Sequence, residues 1–281
     1  GNLKLMYWIG SMDKNKAQYK VEGLPPIYYT NLDRSPDRKE YMEKQFAYWG
    51  ITDYTRISGY DGTGDDDLSG ILKGRYPRDM NSKDVGCCTS HLKAIKYWYE
   101  NSDSPCALIM EDDCDLTPIK YWPFAWKDLY AKIPFDYDIL QLGVINPGKL
   151  FLKMHKRFMN DFSTACYLIT RHHATKIMNM HMRGDKYKID QNQKPRCCSE
   201  HLIYESGNSF AMPLLLFSPK ELESMIHPKD HIDAFHVPSR EALLNFWQNE
   251  SNKISNWDEL FDYDPYLGRL PPMEDNVSAG G

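Results

Sequence analysis

Four acidic residues fall within five positions of the stretch ALIMEDDCDL, residues 107–116: Glu111, Asp112, Asp113 and Asp115. Carboxylates are hard oxygen donors, the type Mg²⁺ and Mn²⁺ prefer, usually one or two of them beside substrate phosphates. Two acids at i and i+2 just past a strand end lean to the same side. Glu111-x-Asp113 and Asp113-x-Asp115 both have that spacing, so Asp113 belongs to either version. A solvated loop, or one that caps a following helix, has the same composition, and spacing alone does not separate the two. A later stretch, HPKDHIDAFH, gathers His227, Asp230, His231, Asp233 and His236. Its spacing fits no standard three-His zinc site. A late metal or pyrophosphate ligand, His227 first, and ordinary loop chemistry both stay open there.

The elements that must hold these residues follow from pattern. PCALIM, just before the acids, is a short continuous apolar run of the kind buried on both faces of a parallel sheet. IYYTNL at 27–32 predicts the first strand. RSPDRKEYMEKQFAYWG then carries helix punctuation: Ser35 to cap, Pro36 at the first position, Asp37 and Glu40 early, Gly50 to stop. Tyr41, Met42, Phe46 and Trp49 make its apolar face. A strand at about 54–57 precedes the loop YDGTGDDDLSG.

A second helix is predicted from about Asp84 to Glu100. Gly86, Ser90 and Lys93 share one face of it, and Cys87, His91, Ala94, Ile95 and Trp98 form an adjoining stripe that can pack inward. YDILQLG and STACYLIT read as further strands, the latter leading into a helix at 171–182. SFAMPLLLFSP is apolar, but its Pro argues against a central strand. Strand–helix alternation over the first 180 residues predicts an α/β fold with a mostly parallel central sheet flanked by helices. In such sheets ligands bind at the carboxyl ends of the strands, where the acidic cluster falls.

Composition limits the function classes. A net charge of −5 and a pI near 6.0 provide no basic stripe for nucleic acid. No apolar run reaches a membrane span. The 42% hydrophobic fraction and the 19 Tyr and 7 Trp suit a substantial core rather than disorder. Seven cysteines, with the adjacent pairs Cys87-Cys88 and Cys197-Cys198 and no C-x-x-C, suggest a reducing compartment. No signal peptide is seen, so the expectation is a cytoplasmic protein, in the host cytoplasm if it is viral. We expect one domain over 1–250, with a donor half at about 25–145 and an acceptor half at 146–250. A polar, acidic tail is expected over 251–281.

Five segments carry a resemblance: YYTNLDRSPDRKEYMEKQF, YDG, DVGCCTSHLKAI, ALIMEDDCDL and ACYLITRHHATKIM, in this order over about residues 27–182. Together they resemble glycosyltransferase family 25, which includes lipooligosaccharide galactosyltransferases and procollagen hydroxylysine galactosyltransferases. The resemblance implies a GT-A-like nucleotide-sugar fold and a UDP-hexose donor, galactose or glucose. It further implies Mn²⁺ (or Mg²⁺) at the acidic motif, and transfer with inversion to a glycan or hydroxylysine-type hydroxyl.

On that reading Asn31, Leu32 and Arg34 end the first strand where the nucleobase is received. Asn31 is a reader of uracil and Arg34 a phosphate-seeking cation or a solvated helix-start residue. Asp61 and Gly62 match the family's DG and border the ribose or uracil, though a bare turn looks identical. Gly86, Ser90 and Lys93 face the diphosphate or sugar, or else pack the helix. His91 is either part of the motif's chemistry or a hydrogen-bonded core histidine. Asp113 is the main metal ligand, with Asp112 or Glu111 second and Asp115 a further candidate.

Inversion calls for a carboxylate base late in the chain. Glu200 is the first choice and Asp190 the second, although the family's acid pair is here Ser199-Glu200 within a Cys-rich stretch. Two other readings compete. One is a nucleotide-sugar or glycan binder of the same fold without transferase activity. The other is a metal-dependent phosphoesterase or nucleotidyltransferase, which would need a second acidic or His cluster.

Overall fold

A computed structural model describes residues 15–64, 67–78, 80–146, 150–190, 198–217 and 237–261. In chain order the first elements are β1 (Ile27–Asn31), α1 (Pro36–Trp49), β2 (Tyr54–Ser58), α2 (Ser82–Asn101), β3 (Cys106–Glu111) and β4 (Cys114–Asp115). Then come α3 (Trp126–Lys132), β5 (Ile139–Gly143), β6 (His155–Lys156), β7 (Cys166–Thr170) and α4 (Arg171–His181). The last are β8 (Met182–Arg183), β9 (Lys186–Tyr187), α5 (Cys198–Tyr204), β10 (Ser209–Phe217) and α6 (Val237–Asn245).

The main sheet runs β2-β1-β3-β7-β5-β10-β4, with β6 also on β10. β1, β2, β3, β5 and β10 share one direction, while β7 lies antiparallel between β3 and β5. Their carboxyl ends therefore gather along one edge. Alternate residues of each strand feed two cores. Tyr29, Leu108, Met110 and Leu168 pack with α1, α3 and α6 on one face, and Tyr28, Ala107, Ile109 and Ile169 pack with α2, α4 and α5 on the other. This is the α/β, mostly parallel arrangement the alternation predicted, and it is consistent with the GT-A-like fold the resemblance implies.

Local chemistry explains the helix limits. α1 begins at Pro36 and ends at Gly50, whose left-handed φ of 68° lets its N–H reach the carbonyls of Ala47 and Phe46. The cap expected of Ser35 does not form, because its side chain makes no bond to the helix start. α2 opens two residues earlier than predicted. Asn81 and Asp84 form a reciprocal capping box that fixes the start at Ser82.

Two expectations need correction. SFAMPLLLF is a fully buried strand inside the sheet. Its register against β5 breaks between Ala211 and Leu215, and Pro213 sits in that break, where no ladder N–H is required. The freed Pro213 carbonyl instead accepts from Trp247 Nε1 at 2.9 Å. Residues 251–261, read as the start of a polar tail, carry Leu260 and Phe261 into the core. Among the described residues, no helix is long and apolar enough to cross a membrane.

Candidate active site

Three segments meet at the carboxyl edge of the sheet: the end of β3 with its acids, the first turns of α2, and residues 163–165 leading into β7. Glu111 is the hub. Its Oε2 accepts from His91 Nε2 at 2.8 Å, from Thr164 Oγ1 at 3.0 Å and from the Cys87 thiol at 3.7 Å. His91 is buried, and its Nδ1 lies 2.9 Å from Tyr167 Oη. Burial holds the Tyr167 hydroxyl well above its usual range, so it keeps its proton and donates to Nδ1. That leaves the hydrogen on Nε2, facing the carboxylate.

Asp112 turns the other way. It is buried, accepting from Asn31 Nδ2 at 2.8 Å and pairing with Arg38 at 3.1 Å. Burial raises its pKa against the pull of Arg38.

Asp113 differs from both. Its Oδ1 is buried and has no hydrogen-bond partner among the described residues. Burial first, then the charges of Glu111 and Asp112, push its carboxyl up to about 7. A buried acceptor without a partner costs roughly 1–3 kcal/mol. Such an oxygen beside a turn of carboxylates fits a hard divalent cation, which supplies the missing partner and the opposing charge.

The 163–165 segment carries the one described non-glycine residue with positive φ, Ser163 at 101°. Such strain persists only where the surroundings over-determine it, and here they do. Its N–H donates to Glu200 Oε1 at 2.9 Å, its Oγ accepts from Ala165 N–H at 3.0 Å, and its carbonyl accepts from Tyr204 Oη at 2.7 Å. Glu200, on the short α5, is thus docked one residue from the Thr164 that binds Glu111. Ser199 Oγ lies 3.2 Å from Cys87 Sγ, tying the same helix to α2.

The other sequence candidates divide. Asn31 is buried and fully engaged: Nδ2 donates to Asp112 and to the Ser35 carbonyl, and Oδ1 accepts from Arg56. These bonds pin the end of β1. Leu32 packs where a Cβ on Gly59 would stand. Arg34 pairs with Asp61, so these two candidates meet at the rim. Gly62 and Gly86 are contact points between the 59–62 loop and α2. A Cβ on Gly62 would lie 2.0 Å from the Ser82 carbonyl, and one on Gly86 would lie 2.7 Å from that of Tyr60.

Ser90 Oγ accepts from Tyr60 N–H at 2.8 Å, and Lys93 Nζ donates to the Ser58 carbonyl at 2.7 Å. Gly86, Ser90 and Lys93 therefore hold the loop in place, and their shared face is turned to protein. Asp115 is likewise held by protein groups. Its Oδ1 accepts from the Thr117 N–H and hydroxyl, and its Oδ2 pairs with Arg240 at 3.0 Å. Asp190 pairs with Lys188 at 3.0 Å beside Gly74, outside the Glu111 cluster. His227 and the rest of 227–236 lie outside the described residues.

Sequence reasoning missed Arg38, Thr164, Ser163 and Tyr167. Arg38 stands in the first turn of α1, just past the end of β1, which was a usable signal. A positive φ at a serine leaves no trace in a sequence.

Comparison with known proteins identifies a family. The family model described as glycosyltransferase family 25 (LPS biosynthesis protein) matches residues 24–191, more than half of the chain. A protein of Acanthamoeba polyphaga mimivirus named "Putative glycosyltransferase R655" is 31% identical over 96 residues, 33% of this chain and 29% of that relative. The aligned part is thus under a third of that curated relative. The crystal structure of HddC from Yersinia pseudotuberculosis aligns over 78% of this chain and 82% of that one. The TM-score is 0.31 and the identity 11%, too remote to carry an argument. The matched span takes in the α1 start, the 59–62 loop, α2, the β3 acids and β7, and the chain belongs to glycosyltransferase family 25.

Proposed function

We propose that this glycosyltransferase moves a hexose, galactose or glucose, from a UDP-sugar to a hydroxyl of a glycan or hydroxylysine-type acceptor, with inversion. The observation that carries the reading is the buried Asp113 Oδ1 at the carboxyl end of β3, which has no partner among the described residues. Asp113 is the residue we assign to hold Mn²⁺ or Mg²⁺. When bound, that ion offsets the negative charge developing on the departing diphosphate.

Arg38, held by Asp112, adds a guanidinium beside this position. Leu32, Arg34 and Asp61 at the rim are assigned to the nucleoside side. Glu200 is assigned as the base. It accepts the proton of the acceptor hydroxyl while that oxygen bonds to the anomeric carbon, and the bond from that carbon to the UDP oxygen breaks. The Ser163 N–H donates to this carboxylate and orients it. Glu111 is fixed by His91 and Thr164 and is not assigned to take the proton.

Release of UDP from a panel of UDP-sugars, with and without Mn²⁺, tests the proposal. One donor should be hydrolysed slowly and only with the metal. Release of inorganic phosphate instead of UDP would favour the phosphoesterase reading and defeat this one.

A further inference from the structure

Cys87, His91 and Glu111 present a sulfur, a ring nitrogen and a carboxylate oxygen that all lie within 4.8 Å of one another. We propose that these three form a second metal site, distinct from Asp113, that takes a borderline ion of the Zn²⁺ class. Asp113 offers only hard oxygen. A thiolate, an imidazole and a carboxylate together are a set that zinc favours over Mg²⁺ or Mn²⁺.

The geometry is close to what such an ion needs. Zinc–donor lengths of about 2.0–2.3 Å at tetrahedral angles put donors roughly 3.3–3.8 Å apart. The Cys87–Glu111 separation is 3.7 Å and the His91–Glu111 separation 2.8 Å. A small opening at His91 and a rotation of the Cys87 side chain complete the set. Cys87 and His91 are one helical turn apart on α2, so a single rigid element carries two of the three ligands. Glu111 and Cys87 are partly exposed, which gives an ion a way in.

The outer contacts are already built. Tyr167 Oη lies 2.9 Å from His91 Nδ1. Thr164 Oγ1 holds Glu111, and Ser199 Oγ stands 3.2 Å from the sulfur. A ligating histidine almost always donates its second ring N–H to a fixed acceptor, and the Tyr167 oxygen takes that role once Nε2 holds the ion. On binding, the Cys87 thiol gives up its proton to solvent. The His91 proton passes through solvent from Nε2 to Nδ1, where it is donated to Tyr167, so one proton is released in all.

Co²⁺ is the probe. Added to the metal-free full chain, one equivalent should produce an intense near-ultraviolet thiolate-to-cobalt band that an equivalent of Zn²⁺ bleaches. Cys87→Ser should abolish the band, and His91→Gln should weaken binding by at least about 10–100-fold. Asp113→Asn, which leaves all three donors in place, should retain it, so the result is independent of the transferase reading. No band, or a band that survives in Cys87→Ser because other cysteines hold the ion, would overturn the proposal. Should Cys87→Ser fail to fold, wild type still decides the matter. Zn²⁺ should protect the Cys87-containing peptide from iodoacetamide at that residue, and unchanged alkylation would refute the site.

Discussion

Asp113 folds with a carboxyl that burial and its acidic neighbours push up to about 7, from an ordinary value of 3.8. Between those values the folded chain keeps a proton that the unfolded chain has released. The group's contribution to stability is therefore complete below about pH 4 and lost as the pH rises through about 7. Asp113→Asn keeps the shape and removes the charge. Its Tm should exceed that of wild type at pH 8 in metal-free buffer, with the gap closing towards pH 4, and a pH-independent gap would contradict the burial argument. Glu200→Gln should lower kcat by about 10²–10⁴-fold with the donor KM little changed, as measured by steady-state transfer. A fall in donor affinity instead would make Glu200 a binding residue. At this scale the acids of 111–113 were legible from type and spacing. The bonds of Asn31, Asp115 and Lys93 were not legible, because their partners, Arg56, Arg240 and the Ser58 carbonyl, lie 25, 125 and 35 residues away in sequence.

The elements place the site through close backbone contacts. The 59–62 loop is clamped to α2 by Gly62 and Gly86 and by the Ser90 and Lys93 bonds. Gly86→Ala puts a methyl 2.7 Å from the Tyr60 carbonyl, backbone that has no rotamer to yield. The substitution should cost roughly 1–3 kcal/mol in urea unfolding and weaken donor binding by displacing Asp61. An unchanged midpoint would show that the clamp is looser than drawn. Element identities were readable because the strands are short apolar runs and the helices carry Pro, Gly and acidic punctuation. β10 was not, because a proline at a register break looks the same in sequence as a proline that ends a strand.

At the scale of the molecule, one sheet separates two cores, and a buried ion pair lies beside β10. His155 and Asp161 are both buried and pair at 2.8 Å. Burial alone would lower His155 and raise Asp161, yet the bond between them outweighs burial and shifts both the opposite way. Their contribution is thus present between the ordinary values of 3.8 and 6.5. It is lost as the pH falls through the depressed Asp161 value or rises through the raised His155 value. Asp161→Asn leaves a buried histidine without its counter-charge and should cost about 3–5 kcal/mol near pH 5.5, by urea unfolding. A loss below about 1 kcal/mol would mean that the pair merely offsets its own desolvation.

The whole arrangement serves one edge of the sheet, where on the proposed function donor and cation meet at Asp113. Calorimetric titration of UDP, with and without Mn²⁺, into wild type and Asp113→Asn tests it most directly. The account predicts Mn²⁺-dependent binding to wild type, stronger as the pH rises through about 7 and the proton leaves Asp113, and weakened at least tenfold in the variant (about 1.4 kcal/mol). Equal Mn²⁺-dependent affinity in both proteins would contradict it.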